Sequence, residues 1–506
     1  LAECGAQKQS MTLTNNTFYK VAYKATTSTM RQNSQAFMSY TVKNNVIVNS
    51  GKSGQFVKGL NAGMNNGTPN WLVQYNSFIF DGDDVGASEI SGASNIPIAA
   101  NVEGAIVFAN DPTTGDFGLG ACPQKTAKIG DPRWLDATLK LNVSDIDDAN
   151  DLAKAINQGV EDGFTKFQLE ENGRYSVKQS IVTDKPLSIT GKNVKIDVEH
   201  SDVFIQLEKN PTIEAAAPAL NRAVALNGTD YIGIDQIALK GLTVTGLKNS
   251  IIYDNNTKYC VVDLTIDDCV LGLATEATKN QAFISFQGGG VKDFTMKNST
   301  VYQTGADENN YFLRYNNSAR LDRYGYDKET ETQSISYINN TFYKVGKNGQ
   351  WGNYNGIAGQ AYSEFHVTGN IWVDCGNGQV SRRLLGGRNA SSYKTCEFNN
   401  NTYWFNEAAE TGNTQYDEGY QLTTDPGFKN AAEADFTLSA YSEQAQLKTG
   451  DPRWYAEGGH YNPTAIQSVD AEQGVDDGAW YTLQGVRVEK PGKGLYIHNG
   501  KTVVIK

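Results

Sequence analysis

The sequence predicts an all-β protein: a parallel β-solenoid in tandem, its first copy partial, followed by a small antiparallel β module. Three observations carry this. The string NNTFYKV occurs at Asn15–Val21 and again at Asn339–Val345. GDPRW closes one stretch at Gly130–Trp134 and another at Gly450–Trp454. Within both stretches a shorter motif returns roughly every 30 residues, the period of a stacked repeat.

The short motif reads MTLTNNTF from Met11, YTVKNNVI from Tyr40 and WLVQYNSF from Trp71. It returns as LTVTGLKN from Leu242, LTIDDCVL from Leu264 and FTMKNSTV from Phe294. ISYINNTF from Ile335, FHVTGNIW from Phe365 and CEFNNNTY from Cys396 complete the series. Apolar residues two apart share one face of a strand. The Asn- and Gly-rich pair then turns the chain, because both residues tolerate positive φ. One such unit cannot bury its apolar face alone, so it stacks on the next. Asn at one turn position of successive coils, with Asn340, Asn370 and Asn400 expected in the second copy, would form a hydrogen-bonded ladder. A β-sandwich is the alternative, but it calls for two-residue hairpin turns and no fixed period.

Four segments follow. Residues 1–134 read as the C-terminal part of a first unit, and 135–455 as a complete unit. Opening on Leu1 without an initiator Met or a leader, the chain is expected to be a fragment, a processed chain or the product of a gene that lost half a domain. The stretch DANDLAKAINQGVEDG from Asp148 predicts a helix, with Leu152, Ala155 and Ile156 at helical spacing. Residues 456–478 are polar and acidic and read as a linker. Residues 479–506 alternate apolar positions around turns at Gly485, Pro491-Gly492 and Asn499-Gly500, which predicts short antiparallel strands.

Composition narrows the function classes. The chain has 506 residues and a net charge of −12, so a nucleic-acid partner is not expected. No apolar run reaches the ~18 residues of a membrane span. The six cysteines (Cys4, Cys122, Cys260, Cys269, Cys375, Cys396) lack metal-site spacing, and Cys269, Cys375 and Cys396 are expected as buried thiols. No GxSxG occurs, and His366 stands alone in a strand, where a packed or surface role is expected.

The predicted helix and the text after it, with Gly173 and Tyr175 in a GxY turn and Pro186, Leu187, Ile189 and Gly191 in a PLxIxG strand, resemble the opening of right-handed parallel β-helix proteins such as pectate lyases. There a short helix caps the first coil. The tail LQGVRVEKPGKGLYIHNGKTVVIK is similar to type IX sorting domains of secreted Bacteroidetes proteins. Together these resemble the pectate-lyase-like β-helix proteins of Bacteroidetes that accompany polysaccharide-utilisation systems. The resemblance implies a secreted or cell-surface protein that recognises a polysaccharide, with a uronate lyase or a structural stalk as alternatives.

Candidate residues follow from the chemistry of acidic sugars. Arginine forks pair with carboxylates and aromatic rings stack on sugar faces. Arg382, Arg383 and Arg388 cluster in SRRLLGGRN, Arg314 lies near Arg320 and Arg323, and Trp351 and Tyr354 lie close by. Trp372 and Trp404 read equally as ring-lining or core residues, and Trp134 and Trp454 as structural closers. No cofactor is expected of a binding protein. A lyase would need Ca²⁺ to neutralise the uronate carboxylate, with Asp263, Asp267 and Asp268 as candidate ligands. Asp267 and Asp268 also fit plain turn formation, and the basic and acidic candidates alike also fit solvated coil edges.

Overall fold

The computed structural model describes residues 2–4, 9–21, 30–32, 37–50, 70–79, 98–146, 151–208, 222–226, 229–254, 259–274, 282–287, 290–304, 311–315, 334–346, 351–353, 364–384, 394–410, 421–455, 480–482, 487–488, 491–498 and 501–505. The architecture is all-β and mainly parallel. Eight of the nine repeats of the short motif form a rung of two strands joined at a turn; LTVTGLKN from Leu242 lies instead along the second strand of its rung, after the turn at Gly241, because Ile237–Lys240 is the segment that pairs with Leu264–Asp267. Gly290–Lys297 and Thr300–Gln303 make one rung, Ser334–Ile338 and Thr341–Tyr343 the next, then Glu364–Thr368 and Ile371–Val373, then Thr395–Asn399 and Thr402–Phe405. Corresponding strands pair in parallel from rung to rung, within a 17-stranded main sheet.

Parallel register makes like stack on like. Ile266, Met296, Tyr337, Val367 and Phe398 form one inward column, and Leu271, Val301, Phe342, Trp372 and Tyr403 another. All ten are buried, in one core that runs from Ala137 to Tyr403. Phe342, Trp372 and Tyr403 stack ring on ring at 5.3 and 5.1 Å.

The doubled asparagines have two separate tasks. The first residue of each pair takes positive φ: 57° at Asn15 and Asn44, 52° at Asn339 and Asn400. The second sends its side chain into the core. Asn340 donates from both its backbone N and its Nδ2 to Asn370 Oδ1, and Asn370 does the same to Asn401 Oδ1, at 2.9–3.0 Å. Asn16, Asn45 and Asn76 repeat this geometry at 2.9–3.1 Å. Such a ladder satisfies buried backbone groups that the turn would otherwise leave unpaired. The ladder residue of the last rung is therefore Asn401, not the expected Asn400, which supplies the left-handed turn.

GDPRW closes both stretches in one way. Asp451 N donates to Thr341 Oγ1 and Asp131 N to Thr17 Oγ1, each at 3.0 Å. Gly450, at φ +80°, sits so close that a Cβ would lie 2.7 Å from Ile371 Cδ1 and 2.9 Å from Thr341 Oγ1. Trp134 and Trp454 meet Phe117 and Phe436 edge to face. The predicted helix spans Leu152–Glu161, capped by Asp151, whose carboxylate accepts from Ala153 N, and it buries Leu152, Ile156 and Val160. At the C-terminus, Trp480–Thr482, Arg487–Val488, Gly494–His498 and Lys501–Ile505 pair antiparallel in a four-stranded sheet. Cys269 and Cys375 are buried thiols, whereas Cys396 is half-buried. Among the described residues no helix is long and apolar enough to cross a membrane.

Candidate functional site

A six-stranded parallel sheet forms a flank of the second stack: Ile181–Thr183, Ile205–Leu207, Ile252–Asp254, Ala282–Phe286, Tyr311–Tyr315 and Gly352–Asn353. Its inward positions, such as Ile205, Leu207, Ile252, Ile284 and Leu313, are buried. Side chains alternate along a strand, so the intervening residue of each strand points outward. Register aligns these residues in one row: Val182, Gln206, Tyr253, Ser285, Arg314, Asn353. Adjacent rungs lie about 4.8 Å apart. Of the aligned residues, Gln206, Tyr253 and Arg314 are partly exposed, whereas Ser285 is buried.

The short helix Val380–Leu384 packs against the Gly352–Asn353 strand and continues the flank. The Gly352–Asn353 strand in turn pairs with the strand that carries Arg314. Arg314 lies over the Tyr311 ring at 5.4 Å. Arg383 is half-buried, and its Nε is covered with no hydrogen-bond partner among the described residues. Ser285 Oγ is covered and accepts from Gln287 Nε2 at 3.3 Å. Burial raises the Tyr253 hydroxyl above the usual tyrosine range, and Asp254 adds to the shift. Gln206 Nε2 is also without a partner.

The sequence-based candidates divide. Arg314 lies on this flank, and Arg383 lies on the helix packed against its last strand. Trp351 does not: it is fully buried, stacked on Phe312 at 4.4 Å and 4° and set edge-on to Trp372, so it is a core residue and reaches no ligand. Its indole sits among the inward rings Phe312, Tyr337, Phe342 and Trp372. Trp372 is likewise core. Tyr354, Arg388, Arg320 and Arg323 lie outside the described residues, as does the side chain of Arg382. Sequence reasoning passed over Gln206, Tyr253 and Ser285. Loops of unequal length separate their strands, so no spacing in the sequence links them.

The three candidate metal ligands do not converge. Asp263 and Asp267 stand four residues apart on one strand, roughly 13 Å at the strand rise. Asp263 accepts from Gln236 and Thr265, Asp267 pairs with Lys240 and Lys297, and Asp268 pairs with Arg453 at 2.6 Å. Asp268 also takes φ 55°, the turn-forming role. No group of three or more metal-ligating side chains is set to hold an ion among the described residues.

The outer face of the main sheet carries carboxylates interleaved with lysines, Lys292 against Asp293 and Lys394 against Glu364 among them. Asp263 and Asp293 are direct register partners, and Glu364, His366 and Glu397 follow on later rungs. His366 Nδ1 lies 2.7 Å from Glu397 and its Nε2 3.8 Å from Glu364, so its role is at the surface. Burial raises the Asp293 carboxyl, with the Asp263 charge adding to it.

Residues 335–454 match the family described as a domain of unknown function, DUF5123, and residues 173–304 match a second, DUF4957. Comparison with curated proteins gives no match. Among solved structures, a mutant of the PL6 family alginate lyase AlyGC aligns at 14% identity with a TM-score of 0.21, over 72% of this chain and 54% of that one. The chain therefore spans about half the length of that enzyme.

Proposed function

We propose that the chain is an exported polysaccharide-recognising protein, a tandem of right-handed parallel β-helices that binds an acidic, pectin-like glycan along the flank of its second unit. The observation that carries this reading is the register-aligned set of partly exposed Gln206, Tyr253 and Arg314 on the flank, with the helix bearing Arg383 packed beside the next strand. A glycan running along the stack would meet Gln206, Tyr253 and Arg314 in turn: tyrosine supplies a stacking face, glutamine meets hydroxyls, and arginine pairs with uronate carboxylates. Matching ladders and matching GDPRW closures in the two stretches support the tandem reading. The sorting-like tail supports a secreted or cell-surface location.

Calorimetry with polygalacturonate and a neutral glycan tests it. The uronate polymer should bind and the neutral one should not, and affinity should fall with salt as exposed charges are screened over about 8 Å. Arg314→Ala and Arg383→Ala should each cost about 1–3 kcal/mol. Equal affinity for both glycans, or indifference to both substitutions, would sink the proposal. A lyase reading is weaker, since Asp267 and Asp268 already pair with lysine or arginine and Asp263 accepts from Gln236 and Thr265. An ultraviolet assay for unsaturated product separates it from binding alone.

A further inference from the structure

The helix Val380–Leu384 has five residues, too few to persist in water by itself. Something must hold it. The hairpin formed by Thr402–Phe405 and Ala408–Ala409 ends at Glu410, whose backbone N donates to Tyr403 O at 2.9 Å. From there the Glu410 carboxylate reaches the start of the helix. Oε1 accepts from Val380 N at 3.2 Å, and Oε2 from Ser381 N at 3.4 Å and Ser381 Oγ at 3.1 Å. These are the amides a helix start leaves unpaired. They are met here from a residue 29 or 30 positions away, not from the preceding turn.

The carboxylate makes no ion pair among the described residues, although the helix carries Arg383. It is met instead by amides and a hydroxyl, while the Arg383 Nε is covered and has no hydrogen-bond partner among the described residues. The cost is visible: burial raises the Glu410 carboxyl above the usual range despite its three donors.

We infer that Glu410 is a positioning residue, one that clamps the Val380 and Ser381 amides from the next rung and so fixes the helix that presents Arg383 on the flank. The inference rests on the glycan-binding reading for its consequence but not for its geometry. It is therefore tested twice on the full chain. Trypsin reads the clamp directly, because the bonds after Arg382 and Arg383 lie in the helix. Glu410→Ala should speed cleavage there about tenfold, the size of a lost cap. Glu410→Gln, which keeps an acceptor oxygen, should stay within about threefold. Unchanged cleavage in Glu410→Ala overturns the inference. Should that variant not fold, Ser381→Ala decides, with about threefold faster cleavage supporting the clamp and none overturning it.

Calorimetry with polygalacturonate reads the consequence. Glu410→Ala should weaken binding about tenfold, Glu410→Gln should restore it to within about threefold, and adding Arg383→Ala to Glu410→Ala should cost less than about twofold more, because both act through one contact. Full additivity of the two, or wild-type affinity in Glu410→Ala, overturns the positioning role. Accelerated cleavage in a protein that binds no polygalacturonate supports the clamp and overturns the glycan reading, so the two fail separately.

Discussion

Asn370 carries more of this fold than its size suggests. Its Oδ1 accepts from Asn340 N and Nδ2, while its own Nδ2 donates to Tyr337 O, Thr368 O and Asn401 Oδ1. Asn370→Ala would leave buried donors on Asn340 and a buried carbonyl on Tyr337 unmet. Each such group costs about 1–3 kcal/mol, so a loss of about 3 kcal/mol is expected in urea unfolding. Asn370→Asp should not rescue it, since a carboxylate has no donor for Tyr337 O. Asp451 gives a pH test. Burial pushes its carboxyl up to about 6 from an ordinary value of 3.8, against the opposing pull of Arg453 and Thr300. The native state then holds this proton more tightly than the unfolded chain does. Its contribution to stability is greatest below the unfolded value and declines as pH rises from about 4 to about 6. Melting temperatures of Asp451→Asn, compared with wild type across that window, should lack this decline.

At the scale of elements, the column of rings inside the second stack sets stability, and the flank row is the proposed recognition surface. Trp351 belongs to the first. Trp351→Ala should cost about 3–5 kcal/mol as a core cavity. Trp351→Phe should leave polygalacturonate affinity unchanged, measured by calorimetry at a temperature where both proteins are folded. A loss of affinity in the phenylalanine variant would return this residue to the binding surface. The turns are equally divided in labour. Positive φ at one residue and a buried ladder at the next explain why the text so often reads Asn-Asn. Where the ladder residue is Ser299 or Cys269, the chain still links rung to rung: Cys269 N donates to Ser299 Oγ and Ser299 N to Asn340 Oδ1.

For the whole molecule, the closing segment of the first stretch meets the opening of the second. Lys125 Nζ donates to Gly163 O at 3.1 Å and lies 4.6 Å from the centre of the Phe164 ring. Burial lowers its pKa. Gly120 packs against both Val107 and Phe164. Lys125→Ala should therefore speed hydrogen exchange near Gly163 and Phe164 while leaving the ladder amides of Asn340 and Asn370 protected. Loss of protection throughout would show that this lysine supports the entire fold and not a local junction.

The sequence by itself determined the β class, the rung length and most turn positions, the repeat read from Leu242 being out of phase with the turn at Gly241. These follow from local rules: alternation fixes which residues face inward, and positive φ selects Asn and Gly. The repeated NNTFYKV and GDPRW also marked equivalent contacts in advance, with Thr17 meeting Asp131 as Thr341 meets Asp451. Which asparagine of a pair enters the ladder was not legible, because both residue types are the same and only the backbone path separates Asn400 from Asn401. Nor was the fate of Trp351, since an indole suits a sugar face and a core equally well. Above all, the row from Gln206 to Arg314 and the reach of Glu410 to Val380 were decided by the tertiary structure alone. Parallel stacking brings residues together by register across loops of unequal length, and no periodicity along the chain records that.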